Sequence, residues 1–412
     1  MRTVAVVLGT RPEAIKLAPV IHALRGDPRF EPIVISTGQH REMLDETMRE
    51  FDLSPDIDLA VMVPGQTLSQ TTYRALRELE GQLDSLKLEA VLVHGDTATT
   101  MAGALAAFHH RIPLIHVEAG LRSGFLGSPF PEEGNRRMIA QIAALHLAPT
   151  PGNKANLLSE GIAEETIAVT GNTVIDALHW AGNKADSFGH PALEDLDTDT
   201  RKVVLASAHR RDAWPHLPQI ARAFAAIADE PGTRVVVPLH RNPAVREAVL
   251  PEIEGHPDIT VVDPLPYLNF CRLMRRADII LSDSSGAQEE GPALGKPTLV
   301  ISNVTERSEA VVAGTARLVG TSYDGVYTHT VELLRDEEAY ARMASTANPY
   351  GDGRATRRTV DAIAHFFGDG PPAEPFVPET ETETATETET ETATETDELS
   401  LEPARTAEFA RS

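Results

Sequence analysis

The sequence predicts an α/β protein of two doubly wound, Rossmann-like domains facing each other across a cleft. Three observations carry this expectation. Short β-rich runs alternate with longer helical segments, the pattern of a parallel sheet covered by helices on both faces. The runs are near-continuously apolar rather than alternating, as strands buried on both faces are. They also come in two successive series, and 412 residues suffice for two cores of ordinary size.

In the first series, strands are expected near Val4–Leu8, Pro32–Ser36, Ala90–His94, Pro113–Val117, Leu145–Ala148 and Ile167–Thr170. The clearest helices between them are Leu68–Leu88 and Thr97–His109. The second series comprises Lys202–Ser207, Arg234–Pro238, Ile259–Val262, Asp278–Leu281 and Pro297–Ile301. The first series ends near Gly171-Asn172-Thr173, which marks the expected hinge and places the domains at residues 1–172 and 173–353. A last helix, about Arg354 to Phe367, gives a segment 354–370 that by analogy crosses back to the first domain. From Pro371 the composition changes to Thr-Glu repeats. These offer no apolar face, and their like charges oppose compaction, so residues 371–412 are expected to form a disordered acidic tail.

Twelve acidic residues against two arginines in that tail supply −10 of a formal charge of −24, leaving −14 on the other 370 residues. So acidic a body argues against a nucleic-acid partner but leaves room for a phosphorylated small molecule, which needs only a local cluster of cations. No apolar run approaches the roughly 18–20 residues that span a bilayer. Val4–Leu8 is too short for a signal-peptide core, so a cytoplasmic protein is expected, with no membrane partner. Cys271 is alone, which excludes a disulfide framework, and its apolar, helix-like surroundings favour a buried structural thiol. No histidine shows ligand spacing, so no metal is expected.

Candidate chemistry gathers where strands end. Asp96, Glu118 and Glu132 lie in HGDTATT, HVEAGLRSG and PFPEEGNR, at the ends of apolar runs among glycines and prolines. Carboxylates delivered in this way serve acid/base chemistry, but also cap helices or bind ribose. The first strand-to-helix turn, LGTRPEAIK, is neither GxGxxG nor a P-loop. There Arg11 and Lys16 are either surface cations or a fork and a second charge for a diphosphate beside a helix N-terminus. In DSSGAQEEGPALGKP, Ser284, Ser285 and Gly286 suit a phosphate at a helix start, and Glu290, a turn later, suits the hydroxyls of a ribose. The alternative is a cap without a ligand. His209, in SAHRRD, and His240, in PLHRNP, end successive strands; His209 has Arg210 beside it, which favours a functional role over a structural one.

GTRPEAIKLAP, GQHREML, HGDT, HVEAGLRSG, PEEGNR, GNTVIDAL, HRRD, DSSGAQEE, LGKP, TERSEA and NPYGDG follow one another in this order. Together they resemble the non-hydrolysing UDP-N-acetylglucosamine 2-epimerases of bacteria, over residues 2–367. The resemblance implies a glycosyltransferase-B-like fold, a homodimer, no cofactor, and interconversion of UDP-GlcNAc and UDP-ManNAc for cell-envelope polysaccharide. It implies catalytic roles for Asp96, Glu118, Glu132 and His209. Arg11, Lys16, Phe270, Ser284, Ser285, Gly286, Glu290 and Arg307 fall on the UDP side. Gln39, Gln66, Arg210 and His240 are the nearest matches to a regulatory UDP-GlcNAc site, although Gly65 stands where some members carry Arg. Leu265, Ser285 and Ser308 also depart from the family pattern, all on the nucleotide side. The implied route expels UDP as the C2 proton leaves, passes through 2-acetamidoglucal, and adds UDP back with a proton on the opposite face of C2. A hydrolysing relative giving ManNAc and UDP, a 2-epimerase of a UDP-diacetamido-uronic acid, and a glycosyltransferase of the same architecture are the alternatives.

Overall fold

A computed structural model describes residues 1–378 except His40, Pro64, Ser128 and Asn183, with only the backbone for Arg41, Glu42, Arg211 and Asp212. The first series of strands is β1 (Arg2–Leu8), β2 (Phe30–Ser36), β3 (Ile57–Asp58), β4 (Ala90–His94), β5 (Leu114–Val117), β6 (Leu145–Ala148) and β7 (Ile167–Val169). They form one parallel sheet in the order β3-β2-β1-β4-β5-β6-β7. The second is β8 (Lys202–Ser207), β9 (Thr233–Pro238), β10 (Ile259–Val262), β11 (Ile279–Ser282), β12 (Thr298–Val300) and β13 (Ala316–Leu318). These are again parallel, in the order β10-β9-β8-β11-β12-β13. β1 sits between β2 and β4, its Val6 opposite Val34 and Leu92, and its residues Val4 to Leu8 are almost wholly buried. That two-sided burial is why the strand reads as an unbroken apolar run.

The expected strands are all present, within a few residues at their ends. β3 and β13, of two and three residues, were not anticipated; runs so short carry no pattern of their own. The helix expected over Leu68–Leu88 stops at Leu83, where Leu86 N–H and Ser85 Oγ both turn back onto the carbonyl of Gln82.

The two sheets share a core. The helix Thr173–Gly182, which follows the expected hinge, packs against the helix Arg11–Gly26 of the first domain and Tyr267–Arg276 of the second. Cys271 is buried in the latter, as its apolar setting suggested. The last helix, Ala355–Phe366, packs on Arg11–Gly26.

The chain then stays ordered further than composition implied. Phe376 is buried, its N–H donates to the carbonyl of Val169 on the edge strand β7 at 2.9 Å, and its ring lies 5.6 Å from the Arg358 guanidinium. Residues 371–378 are thus a strap over an open sheet edge rather than part of the disordered tail expected from Pro371. The Thr-Glu repeats themselves lie outside the described residues. No helix among the described residues is long and apolar enough to cross a membrane.

Candidate active site

In a doubly wound sheet, a crevice opens at the carboxyl ends of the strands where the order reverses. Here that point falls between β1 and β4 in one sheet and between β8 and β11 in the other. The loops after these four strands carry Arg11, Asp96, His209 and Ser284. They line a cleft of about 600 Å³. Every residue expected to act in catalysis or to hold UDP lines it, as do Leu265, Arg210 and His240, whereas Ser308 does not.

One buried carboxylate builds the first wall. Glu13 Oε2 accepts hydrogen bonds from Gly9 N and Thr10 N, both at 2.8 Å, and from Thr10 Oγ1 at 3.0 Å. Its Oε1 accepts from Thr97 Oγ1 and Thr100 Oγ1 at 2.6 and 2.9 Å. Five donors on one side chain tie the turn after β1 to the helix after β4, and so set Arg11 relative to Asp96. Gly9 permits this closeness, since a Cβ there would meet Thr37 Oγ1 at 2.1 Å.

Glu118 ends β5 in the left-handed region, at φ +62°. Its Oε2 pairs with Lys16, accepts from Asn172 Nδ2 at 3.1 Å and lies 3.4 Å from His94 Nε2. All three contacts fall on Oε2 and leave Oε1 outside them. Burial alone would raise its pKa, but Lys16 and His94 outweigh that and hold it well below the usual carboxylate range. Glu132 behaves in the opposite way. It opens the helix Glu132–Ala140, its Oε2 is buried without a hydrogen-bond partner, and burial followed by the nearby Asp96 charge raises its pKa. Two carboxylates of one cleft are thus pushed apart, one ionised and one inclined to keep a proton. The third, Asp96, pairs with Arg136 at 2.5 Å.

Lys16 and Arg307 line the cleft, but carboxylates already occupy their charges. Lys16 Nζ contacts Glu118 and, at 2.9 Å, Glu289 Oε2. Arg307 donates to Glu289 Oε1 at 2.8 Å and to Glu306 Oε1 at 2.6 Å, and Glu306 in turn lies 4.0 Å from Arg136. A chain of alternating charge therefore runs from Asp96 through Arg136, Glu306, Arg307, Glu289 and Lys16 to Glu118, crossing twice between the domains. Glu289, Glu306 and Arg136 were missed in the sequence. EE and TER invited the question, but adjacent helix positions point about 100° apart and nothing local says which faces the cleft.

The second wall presents His209. Its Nδ1 lies 3.1 Å from Asp283 Oδ1, while Asp283 Oδ2 accepts the N–H groups of His209 and Arg210 at 2.6 and 2.7 Å. Asp283, just before the Ser284 helix start, thus orients the histidine. His209 and His240 stack with ring centroids 5.8 Å apart. The helix Ser285–Ala293 starts at the cleft, and the hydroxyl of its N-cap, Ser284, makes no capping bond. Glu290 is buried a turn later and accepts from Tyr267 Oη at 2.7 Å. Arg11 Nη2 reaches the carbonyl of Leu265 at 3.4 Å, so position 265 meets the cleft through its backbone. Gln39 and Gln66 do not line the cleft; Gln39 Oε1 accepts from Thr99 Oγ1 at 2.9 Å, and Gln66 Oε1 accepts from Val63 N. Among the described residues, no group of three His, Cys, Asp or Glu is placed to hold a metal ion.

A family profile described as UDP-N-acetylglucosamine 2-epimerase matches residues 22–364. The UDP-N-acetylglucosamine 2-epimerase of Yersinia pestis is 48% identical over 367 residues, which cover 87% of this chain and 98% of that protein. Among solved structures, the UDP-GlcNAc 2-epimerase of Neisseria meningitidis bound to UDP-GlcNAc is 41% identical, with a TM-score of 0.82, over 89% of this chain and 100% of its own. S. aureus MnaA in a co-structure with UDP is 41% identical, with a TM-score of 0.85, over 92% and 100%.

Proposed function

Because the chain belongs to the UDP-N-acetylglucosamine 2-epimerase family, we propose that it interconverts UDP-GlcNAc and UDP-ManNAc by eliminating UDP and adding it back, without hydrolysis. The observation that carries this reading is the opposed pair Glu118 and Glu132 beside a helix start and cations suited to a diphosphate.

The C2 proton sits on the carbon that bears the acetamido nitrogen and is only weakly acidic, so the C1–O bond must break as the proton leaves. Glu118, ionised and with Oε1 outside its ion pairs, is the group that takes the C2 proton. The electron pair forms the C1–C2 double bond of 2-acetamidoglucal, and UDP departs with the C1–O pair. Glu132, which holds a proton more readily, returns one to the opposite face of C2 as a UDP oxygen bonds to C1 again. In the reverse direction the two exchange roles. Arg11, His209 and the N–H groups at the Ser284 helix start stabilise the departing diphosphate. Asp283 fixes the His209 ring, so that Nε2 faces the anion. Glu290 is the acceptor for ribose hydroxyls, and closure of the cleft keeps water from the glycal.

The test is proton NMR of UDP-GlcNAc with the enzyme alone in D₂O. UDP-ManNAc carrying deuterium at C2, with the sugar still attached to UDP, is expected. Free ManNAc with an equivalent of UDP would replace this reading with hydrolysis. No turnover without an acceptor would favour a glycosyltransferase.

A further inference from the structure

The helix Tyr267–Arg276 begins after Pro266, which supplies no side-chain cap. Its first N–H groups are satisfied from the other domain, as Tyr267 N and Leu268 N donate to Glu50 Oε2 and Oε1 at 3.1 and 3.0 Å. A helix start leaves N–H groups unpaired and carries the positive end of the helix dipole, so a carboxylate gripping it with both oxygens is stabilising. Glu50 ends the helix Arg41–Glu50 of the first domain, and Phe51, next in the chain, stacks on the Tyr267 ring with centroids 5.7 Å apart. Two neighbouring residues of one domain thus hold both the backbone and the ring of a tyrosine in the other. The Tyr267 hydroxyl occupies Glu290 Oε1. Glu290 Oε2 lies beside Gly286, where even a Cβ would stand 3.0 Å away, so the glycine keeps that oxygen accessible.

We propose that Tyr267 and Glu50 are positioning residues for ribose recognition: the first domain, through Glu50, holds Tyr267 so that it engages one oxygen of Glu290 and leaves the other for a ribose hydroxyl. The inference rests on Glu290 being the ribose carboxylate of the proposed function. Pre-setting the carboxylate removes the freedom it would otherwise lose on binding, and a site built around a hydroxyl discriminates against a nucleotide lacking one. It also links nucleotide reading to domain approach, because Glu50 caps this helix only when the domains meet.

The groups facing Glu290 are Tyr267 and Cys271 from the capped helix, Glu289 beside it, and Lys16 and Arg11 from the first domain. Burial is the largest influence and raises Glu290 to about 7, while the Tyr267 hydrogen bond pulls it down. Removing that hydroxyl therefore moves Glu290 further up.

The experiment compares the binding of UDP and 2′,3′-dideoxy-UDP, by calorimetry, to the wild-type enzyme, Y267F and E50Q. KM and kcat for UDP-GlcNAc are followed from pH 6 to 9. The wild type should prefer UDP by roughly tenfold or more, the value of a charged hydrogen bond. The preference should shrink severalfold in both variants, KM should rise by more than kcat falls, and the acid limb of KM should move to higher pH in Y267F. Wild-type preference and an unmoved limb in both folded variants would overturn the proposal. E50Q, which leaves the core intact, decides alone if Y267F fails to fold. A wild type indifferent to the ribose hydroxyls would remove Glu290 from its assigned role. A wild type that reads ribose but leaves UDP-GlcNAc unchanged would instead sink the epimerase reading.

Discussion

Replacing Lys16 with methionine should reverse the pH dependence of this protein's stability. Lys16 is buried between Glu118 and Glu289, and methionine keeps most of its volume while removing the charge. In the wild type, Glu118 has a folded pKa well below its ordinary value of 4.5. Its contribution to stability is therefore present above about pH 4.5 and is lost as pH falls through the folded value. Without Lys16, burial is opposed only by Asn172, by His94 and by the more distant Arg307. Glu290, another buried glutamate with one strong donor, shows the direction, since burial there raises the carboxyl above its ordinary value. Each pH unit by which burial lifts the folded Glu118 above its unfolded value is worth about 1.4 kcal/mol. The sign is now opposite: the folded value lies above the unfolded one, so this contribution is greatest below about pH 4.5 and is lost as pH rises through the folded value. Glu290, which Lys16 also holds down, moves the same way. Urea unfolding of both proteins at intervals from pH 5 to 8 measures this directly. The gap between them should widen with rising pH, by about 1 kcal/mol or more across the range. A gap of constant size would show that Lys16 contributes packing alone, and would remove the basis for an ionised Glu118.

Glu132→Gln should lower kcat by about 10²–10⁴-fold, the usual worth of a positioned proton donor, and suppress deuterium incorporation at C2; normal incorporation would exclude it as the proton carrier. Asp283→Asn should lower kcat by a similar factor, roughly 10²-fold or more, with KM less affected, because His209 loses the partner that sets its tautomer. Steady-state kinetics separates the two constants. A chain ending at Pro378 should melt like the full-length protein. One ending at Gly370 should lose Phe376, whose burial is worth about 1.5–3 kcal/mol, and melt a few degrees lower while keeping its activity. Calorimetry of the two truncations distinguishes strap from tail.

The legible parts of this molecule are those set by local pattern. β4, β6, β8 and β10 coincide with their expected residues because each is a short, mainly apolar run, and β4 and β6 are buried along their whole length. Catalytic candidates were legible because strand-end loops rich in glycine and acid are rare and ordered. What stayed hidden depends on partners distant in the chain. Lys16 reads as a phosphate ligand until Glu118 and Glu289 arrive beside it, from positions 102 and 273 residues away. Glu13 reads as a helix-start residue until Thr97 and Thr100 close over it. Glu50 gives no signal at all, since its use is to cap a helix of the other domain. Phe376 was lost among prolines and glutamates because composition averages over a segment, whereas one aromatic ring over one sheet edge is enough to anchor it.

Glu118 occupies a backbone conformation in which glycine would be at ease, at a cost of about 1–3 kcal/mol. Its side chain is also a buried charge. Glycine at this codon would relieve the torsion but leave the buried Lys16 with one carboxylate fewer, so the two effects on heat resistance oppose each other. A library ranked by melting temperature alone would find its gain only where residues 16 and 118 change together, the lysine to an apolar side chain and the glutamate to glycine. A thermostabilised version of this protein has to be selected on turnover, or with residues 16 and 118 held fixed.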